Sequence, residues 1–283
     1  MRIRLNEEAL VKISVYGAVS QPSHRGYVVD SLGKGHIIPG IGGITYNLRL
    51  GDPAFGWAGD HVEPEVSLYN PNKADSEALN ILACIGNEAR VASGDAKGET
   101  GYVIGKHSGA EHVMVHFNNP ACLDKMNVGD GVLIKAQGQG AKIEGFESVM
   151  LNSIDPGLLQ RMVAINADGK LEAPIAAEVP AALMGSGIGM DSYRGDYDIM
   201  TQDEAQVERY RLGGLRLGDL VLLRDCWNVY GRGVRKGAVS IGVVIHSDCV
   251  VGGHGPGIVN VMSAKEGLIT GRFDAKCNIM DYM

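Results

Sequence analysis

The chain has 283 residues, 45% of them hydrophobic and 21% charged, a balance that points to a globular protein with one large domain or two ordinary ones. Its net charge of −7 is spread without blocks and no basic stripe occurs, so nucleic acid is not an expected partner. No apolar run reaches the length of a membrane span, and residues 1–8 lack the apolar stretch of a signal peptide, so no membrane partner and a cytoplasmic location are expected.

In chain order the reading is dominated by strands. Forty glycines, scattered without a period, favour tight turns and short strands. Residues 10–16 alternate in part between apolar and polar side chains and are predicted as a strand. Residues 40–52 form a glycine hinge, a strand and a turn. The apolar stretch 78–85 suits a buried strand or a short helix. Strands are expected at 101–105 and 112–117, with Asn118-Asn119-Pro120 stopping any helix there. Val128-Gly129-Asp130-Gly131 before an apolar strand matches Leu217-Gly218-Asp219-Leu220 before another; this reads equally as ordinary Gly-Asp turns or as two related halves.

Asp155-Pro156 is a helix start, an N-cap followed by proline at the first helical position. A second short helix is expected at 203–210, with Thr201 as its cap. The two prolines at Pro174 and Pro180 make 171–184 extended at first. The run 238–245 reads as a buried strand. The expected fold is therefore mostly β with a few short helices (α+β), built as β-rich barrel or sandwich halves, residues 1–155 and 156–283. Five cysteines, odd in number and without a C-x-x-C pair, are expected to be reduced.

Four constellations carry candidate chemistry. Gly59-Asp60-His61-Val62-Glu63 offers an imidazole and carboxylates, with Asp60, His61 and Glu63 as catalytic candidates; read as an extended segment, it places His61 and Glu63 on one face. The plain alternative is a solvated surface turn. His246-Ser247-Asp248 at a strand end, with His254 in Gly252-Gly253-His254-Gly255-Pro256-Gly257, supplies His246, Asp248 and His254 as candidate metal ligands. A glycine-rich loop of that kind costs backbone entropy unless its shape is needed. Gly185-Ser186-Gly187-Ile188-Gly189 reads as a loop delivering Asp196 and Asp198, with Arg194 offering an ion-pair explanation for the aspartates; Arg25, Asp196 and Asp198 are the substrate-binding candidates. Of the cluster His107, His112 and His116, the last two lie on one face of a strand, and this half-exposed pair reads as a solvated face rather than a metal site.

Three segments together resemble an uncharacterised prokaryotic family, domain of unknown function 4438: Ile38 to Thr45, Gly56 to Pro64, and Ile245-His246-Ser247-Asp248 through His254-Gly255-Pro256-Gly257. The resemblance implies a two-part, β-rich fold and no particular activity. A looser similarity is to acetamidase/formamidase proteins, on Gly195 to Ile199, Leu215 to Leu222, Ser240 to Gly242 and His246, with Asp198 and His246 as the matching polar residues. Asp196 and Val243 depart from that pattern.

Two readings of function result. One is a hydrolase of a small polar, amide-like substrate, dependent on a divalent metal ion (Zn, Mn or Fe). The other is a non-catalytic protein that binds a small ligand or builds an assembly. Either is expected to be a homo-oligomer. The hydrolase reading needs the 60–63 and 246–254 clusters to share one cleft.

Overall fold

A computed structural model describes residues 1–24, 26–187 and 191–283. Arg25 and the Ile188-Gly189 portion of the glycine loop lie outside the described residues.

In the N-terminal half six strands close on themselves. They are β1 (Ile13–Val19), β2 (Glu65–Tyr69), β3 (Glu88–Val91), β4 (Thr100–His107), β5 (His112–Phe117) and β6 (Gly131–Ala136). The hydrogen-bonded order is β1-β6-β3-β4-β5-β2 and back to β1, antiparallel throughout, a closed six-stranded barrel. Closure leaves no edge among these strands to template aggregation. Inward positions recur every second residue: Val15 and Val19, Val66 and Leu68, Val113, Val115 and Phe117, Val132 and Ile134 fill the interior. Between β2 and β3 lies helix α1 (Lys73–Leu82), capped by Asn72, so the ambiguous 78–85 stretch is mainly helical. Its Leu79 is fully buried in the barrel core.

The C-terminal half contains β7 (Leu171–Ile175), β8 (Ala177–Pro180), β9 (Asp196–Asp198), β10 (Leu220–Cys226), β11 (Val234–Val244), β12 (Gly257–Ala264) and β13 (Ile269–Phe273). The central run is β12-β11-β10-β8, with β9 and the short strand Met150–Leu151 on β12. β7 and β13 pair in parallel in a separate three-stranded sheet with Ala164–Ile165. Leu220 and Leu222 of β10 face one core, while Val221 and Leu223 face another. Burial on both faces explains why the run Leu220–Leu223 is continuously apolar instead of alternating.

The first of these cores joins the two halves. It contains Ile85, Ile104 and Met114 from the barrel side together with Leu220, Ile241, Ile245 and Val259. Ile3, Leu5 and Leu50, early in the chain, belong to the same core, and Leu48 and Ala54 belong to the second. A Cβ at Gly105 would meet Ile245 Cβ at 2.7 Å, so glycine is what lets β4 approach the end of β11. Gly105 sits at the register shift between β4 and β5.

Three α-helices occur among the described residues. α2 (Pro156–Met162) starts as expected, with Asp155 accepting from the Leu158 N–H. α3 (Glu204–Arg209) is capped by Asp203 and not by Thr201, because the Asp203 carboxylate reaches the Ala205 and Gln206 N–H groups. The Gly-Asp repeat is a shared turn. Asp130 accepts the Asn127 N–H at 2.8 Å and Asp219 accepts the Arg216 N–H at 2.9 Å. Asp52 does the same for the Arg49 N–H at 2.7 Å. Gly129, Gly218 and Gly51, each before its aspartate, all have φ near +90°. A third copy outside the matched pair favours turn chemistry over related halves.

Candidate functional site

The site forms where the barrel meets the C-terminal sheet. β4 ends in His107. β9 contributes Asp196 and Asp198, whose side chains share a face because Tyr197 between them points into the C-terminal core. His246 follows β11 after Ile245, and the glycine loop returns His254 before β12 begins. The 59–63 segment is a loop, not a strand, and His61 sits in the left-handed region at φ 53°. Such a conformation is uncommon outside glycine and concentrates at functional sites. Two ties hold this loop against the C-terminal half: the Val62 N–H donates to Ser247 Oγ at 2.9 Å, and the Ser247 N–H donates to the Val62 carbonyl at 3.0 Å.

The two clusters are brought together as the hydrolase reading needs. The rings of His61 and His246 are 5.0 Å apart, those of His61 and His254 5.0 Å, and those of His107 and His246 4.5 Å. His61 Nε2, His254 Nδ1 and Asp198 Oδ2 form a triangle with sides of 3.1, 2.7 and 3.3 Å. His246 Nε2 lies 2.9 Å from Asp196 Oδ2 and 3.5 Å from Asp198 Oδ1. Donor atoms close enough to share one cation occur in the sets His61–Asp198–His246, His107–Asp196–His246 and His61–Cys249–His254.

Each inner histidine is held from behind. His61 Nδ1 meets Asp60 at 3.2 Å, and His107 Nδ1 meets Glu63 at 2.5 Å. His246 Nδ1 donates to the Ser247 carbonyl at 2.8 Å; the Gly257 N–H, 3.3 Å from the same nitrogen, is the lesser contact because a carbonyl can only accept. In all three rings Nε2 is thus the atom left for the cleft. Glu63 is fully enclosed, taking His112, the Ser67 hydroxyl and the Gly42 N–H as well as His107.

The electrostatics follow from this enclosure. Burial alone would raise the Asp198 carboxyl, but the imidazoles of His246, His254 and His61 gathered around it hold it far below the usual carboxylate range. Glu63 behaves alike: His107 and His112 overcome its burial and lower it strongly. At Asp60, burial is outweighed by His61 and Cys249, which bring it to about 2. In the opposite direction, burial disfavours charge on His61 and His246, yet Asp198 with Asp60, and Asp196 with Asp198, raise them both, His246 the more. Burial and the bond to Asp60 push the Cys249 thiol up, so it donates to that carboxylate at 2.8 Å.

A cavity of about 350 Å³ opens over this floor. His24, His36, Ser108, Ser186, Gly187 and Val251 are among its walls. Among its described lining residues there is no lysine or arginine.

Of the residues singled out from sequence, Asp60, His61, Asp196, Asp198, His246 and His254 converge, and Glu63 lies behind His107. Asp248 does not converge. Its carboxylate takes the Thr201 hydroxyl at 2.6 Å, because β11 has ended at Val244 and strand alternation no longer relates residues 246 and 248. Burial raises its carboxyl. Arg194 pairs with Asp191 and Glu77, not with Asp196 or Asp198. His112 and His116 are not a solvated face: His112 binds Glu63 and His116 binds Glu65. His107 and His112 are 6% and 7% exposed, and His107 binds Glu63 as well. Sequence reading missed His107 and Cys249 as site residues; the signal available for His107 was its position at the polar end of a strand, beside Ser108-Gly109.

The crystal structure of TM1086 superposes on this chain with a TM-score of 0.95, at 46% identity and with both chains fully covered. No curated protein matches the chain, and neither the family models nor the solved structure carries the acetamidase/formamidase similarity. Residues 27–160 match the N-terminal model, and residues 161–283 the C-terminal model, of the domain of unknown function DUF4438, and the chain belongs to that family.

Proposed function

We propose that this protein is a metal-dependent hydrolase of a small polar substrate, with a divalent cation held by His61, His254 and Asp198. The observation that carries this reading is the triangle of donor atoms with sides of 3.1, 2.7 and 3.3 Å. With metal–ligand bonds of about 2.1 Å, adjacent ligand atoms lie about 3.0 Å apart at an octahedral centre and about 3.4 Å apart at a tetrahedral one. Two imidazoles and one carboxylate suit zinc, manganese or iron and leave positions open toward the cavity.

Charge supports the same reading. Buried Glu63, Asp196 and Asp198 and half-buried Asp60 crowd one region, and among its described cavity-lining residues there is no lysine or arginine. Buried carboxylates need a cation, either protonated histidine or a metal. When bound, a divalent ion would polarise a carbonyl and lower the pKa of a water toward neutrality. Asp60 then acts as a positioning residue, orienting His61 through Nδ1, and Glu63 does the same for His107. His24, His36 and Ser108 line the cavity beside the acidic and imidazole groups of its floor, a polar wall that suits a small polar molecule better than an apolar one.

The test is metal analysis of the purified chain, followed by assays for amine or ammonia release from small amides. The expected outcome is bound metal, metal-dependent turnover, and a loss of metal affinity greater than about 100-fold in His254→Ala, beyond what an outer-shell change produces. Absence of metal after loading with Zn²⁺, Mn²⁺ or Fe²⁺ would sink the reading. Bound metal without turnover on any C–N substrate would favour the non-catalytic ligand-binding alternative.

A further inference from the structure

Resting on that metal reading, we propose that the cleft takes a second divalent cation, held by His107, Asp196 and His246, with Asp198 bridging the two ions. The starting point is a pair of buried atoms within ion-pair distance that make no hydrogen bond: Asp196 Oδ2 and His246 Nε2, 2.9 Å apart. Two polar atoms that close, and without hydrogen-bond alignment on each other, can both serve one cation placed between them and a third donor. Leaving them unsatisfied is unfavourable in a dry interior.

The remaining atoms of both side chains are committed elsewhere. Asp196 Oδ1 accepts the Ser108 N–H at 2.7 Å, and His246 Nδ1 donates to the Ser247 carbonyl. His107, its Nδ1 taken by Glu63, completes the set, and the three donor atoms fall within 4.8 Å of one another. Asp198 divides between the two groups. Its Oδ2 faces His61 and His254, while Oδ1 lies 3.5 Å from His246 Nε2. A carboxylate with one oxygen in each donor group is the arrangement that bridges two ions.

The backbone is shaped to keep this space open. A Cβ at Gly257 would stand 2.1 Å from Asp196 Oδ2 and 2.3 Å from His246 Nε2. Charge also balances with two ions. Asp60, Glu63, Asp196 and Asp198 bring four negative charges, and two divalent cations with neutral histidines cancel them. A paired site can stabilise both the attacking and the leaving atom of a displacement, which a single ion does less well.

The experiment uses the full chain, stripped of metal and reloaded with Mn²⁺. Elemental analysis is expected to find two ions per chain, with the spin-coupled resonance spectrum of a manganese pair. Asp196→Asn and His107→Ala are each expected to reduce the count to one and to give the spectrum of an isolated ion. Asp196→Asn is nearly isosteric and keeps an acceptor for Ser108, so it stands in should His107→Ala fail to fold. One ion in the unaltered chain, lost in His254→Ala and kept in Asp196→Asn, overturns the second site and leaves the first intact. No bound ion overturns both. Two ions retained in Asp196→Asn also overturn the assignment.

Discussion

At the scale of single residues, the proposed metal site would set protons and cations in competition for the same nitrogens. His61 and His246 are raised above the usual histidine value by Asp198, Asp60 and Asp196. In the metal-free protein a group with a raised folded pKa contributes stability in full below its unfolded value, about 6.5, and loses it as pH rises through the folded value. Metal-free protein should therefore melt at lower temperature as pH rises above 6.5, by at most about 1.4 kcal/mol per pH unit for each histidine. Metal-loaded protein should show the reverse slope, because ligation needs deprotonated nitrogen and strengthens as protons leave. Melting curves from pH 6.5 to 8, with and without chelator, check this. Identical slopes in the two conditions would count against metal binding at these histidines.

At the scale of elements, two neighbouring strands make the floor of the site, and one glycine decides whether the floor is open. β9 lies antiparallel to β12 with Asp198 opposite Gly257 and Asp196 opposite Val259. That register places both carboxylates against His246. Gly257 begins β12 with ordinary extended geometry, so its requirement is spatial and not conformational. Gly257→Ala should keep the strand content of the circular dichroism spectrum while lowering metal affinity at least about tenfold, since a methyl group occupies the space between Asp196 and His246. Unchanged metal affinity in a folded Gly257→Ala protein would show that this gap is not used.

At the scale of the whole molecule, the two halves share a core, and this predicts how the protein unfolds. The core that holds Ile104 and Met114 also holds Leu220, Ile241 and Val259, and Ile3, Leu5 and Leu50 pack into it from the start of the chain. Opening one half would expose apolar surface on the other, at about 25 cal/mol for each Å². Calorimetry should accordingly show one cooperative transition for the 283 residues, with residues 161–283 alone failing to give one. Two separated transitions would mean that the shared core contributes little. All five cysteines are free and buried, so the halves are joined by packing and hydrogen bonds without a disulfide. Among the described residues no helix is long and apolar enough to cross a membrane.

The sequence by itself determined the local features. Glycine punctuation and apolar alternation declared a β-rich chain, and Asp155-Pro156 declared a helix start, because turn geometry, strand parity and caps depend on a few adjacent residues. It also marked Asp60, His61, His246 and His254 as polar residues in costly glycine-framed loops. Tertiary structure alone decided which of these meet. Asp248 turned away because the strand ended before it. His107 joined the site because closure of the barrel carries the end of β4 to the C-terminal sheet, next to Ile245. Asp196 and Asp198 changed from expected substrate contacts to candidate ligands once β9 paired with β12. The barrel instead of a sandwich, and one core shared by both halves, likewise arise from pairings between residues far apart in the chain. Local spacing does not encode such contacts, since each depends on where a distant segment is placed.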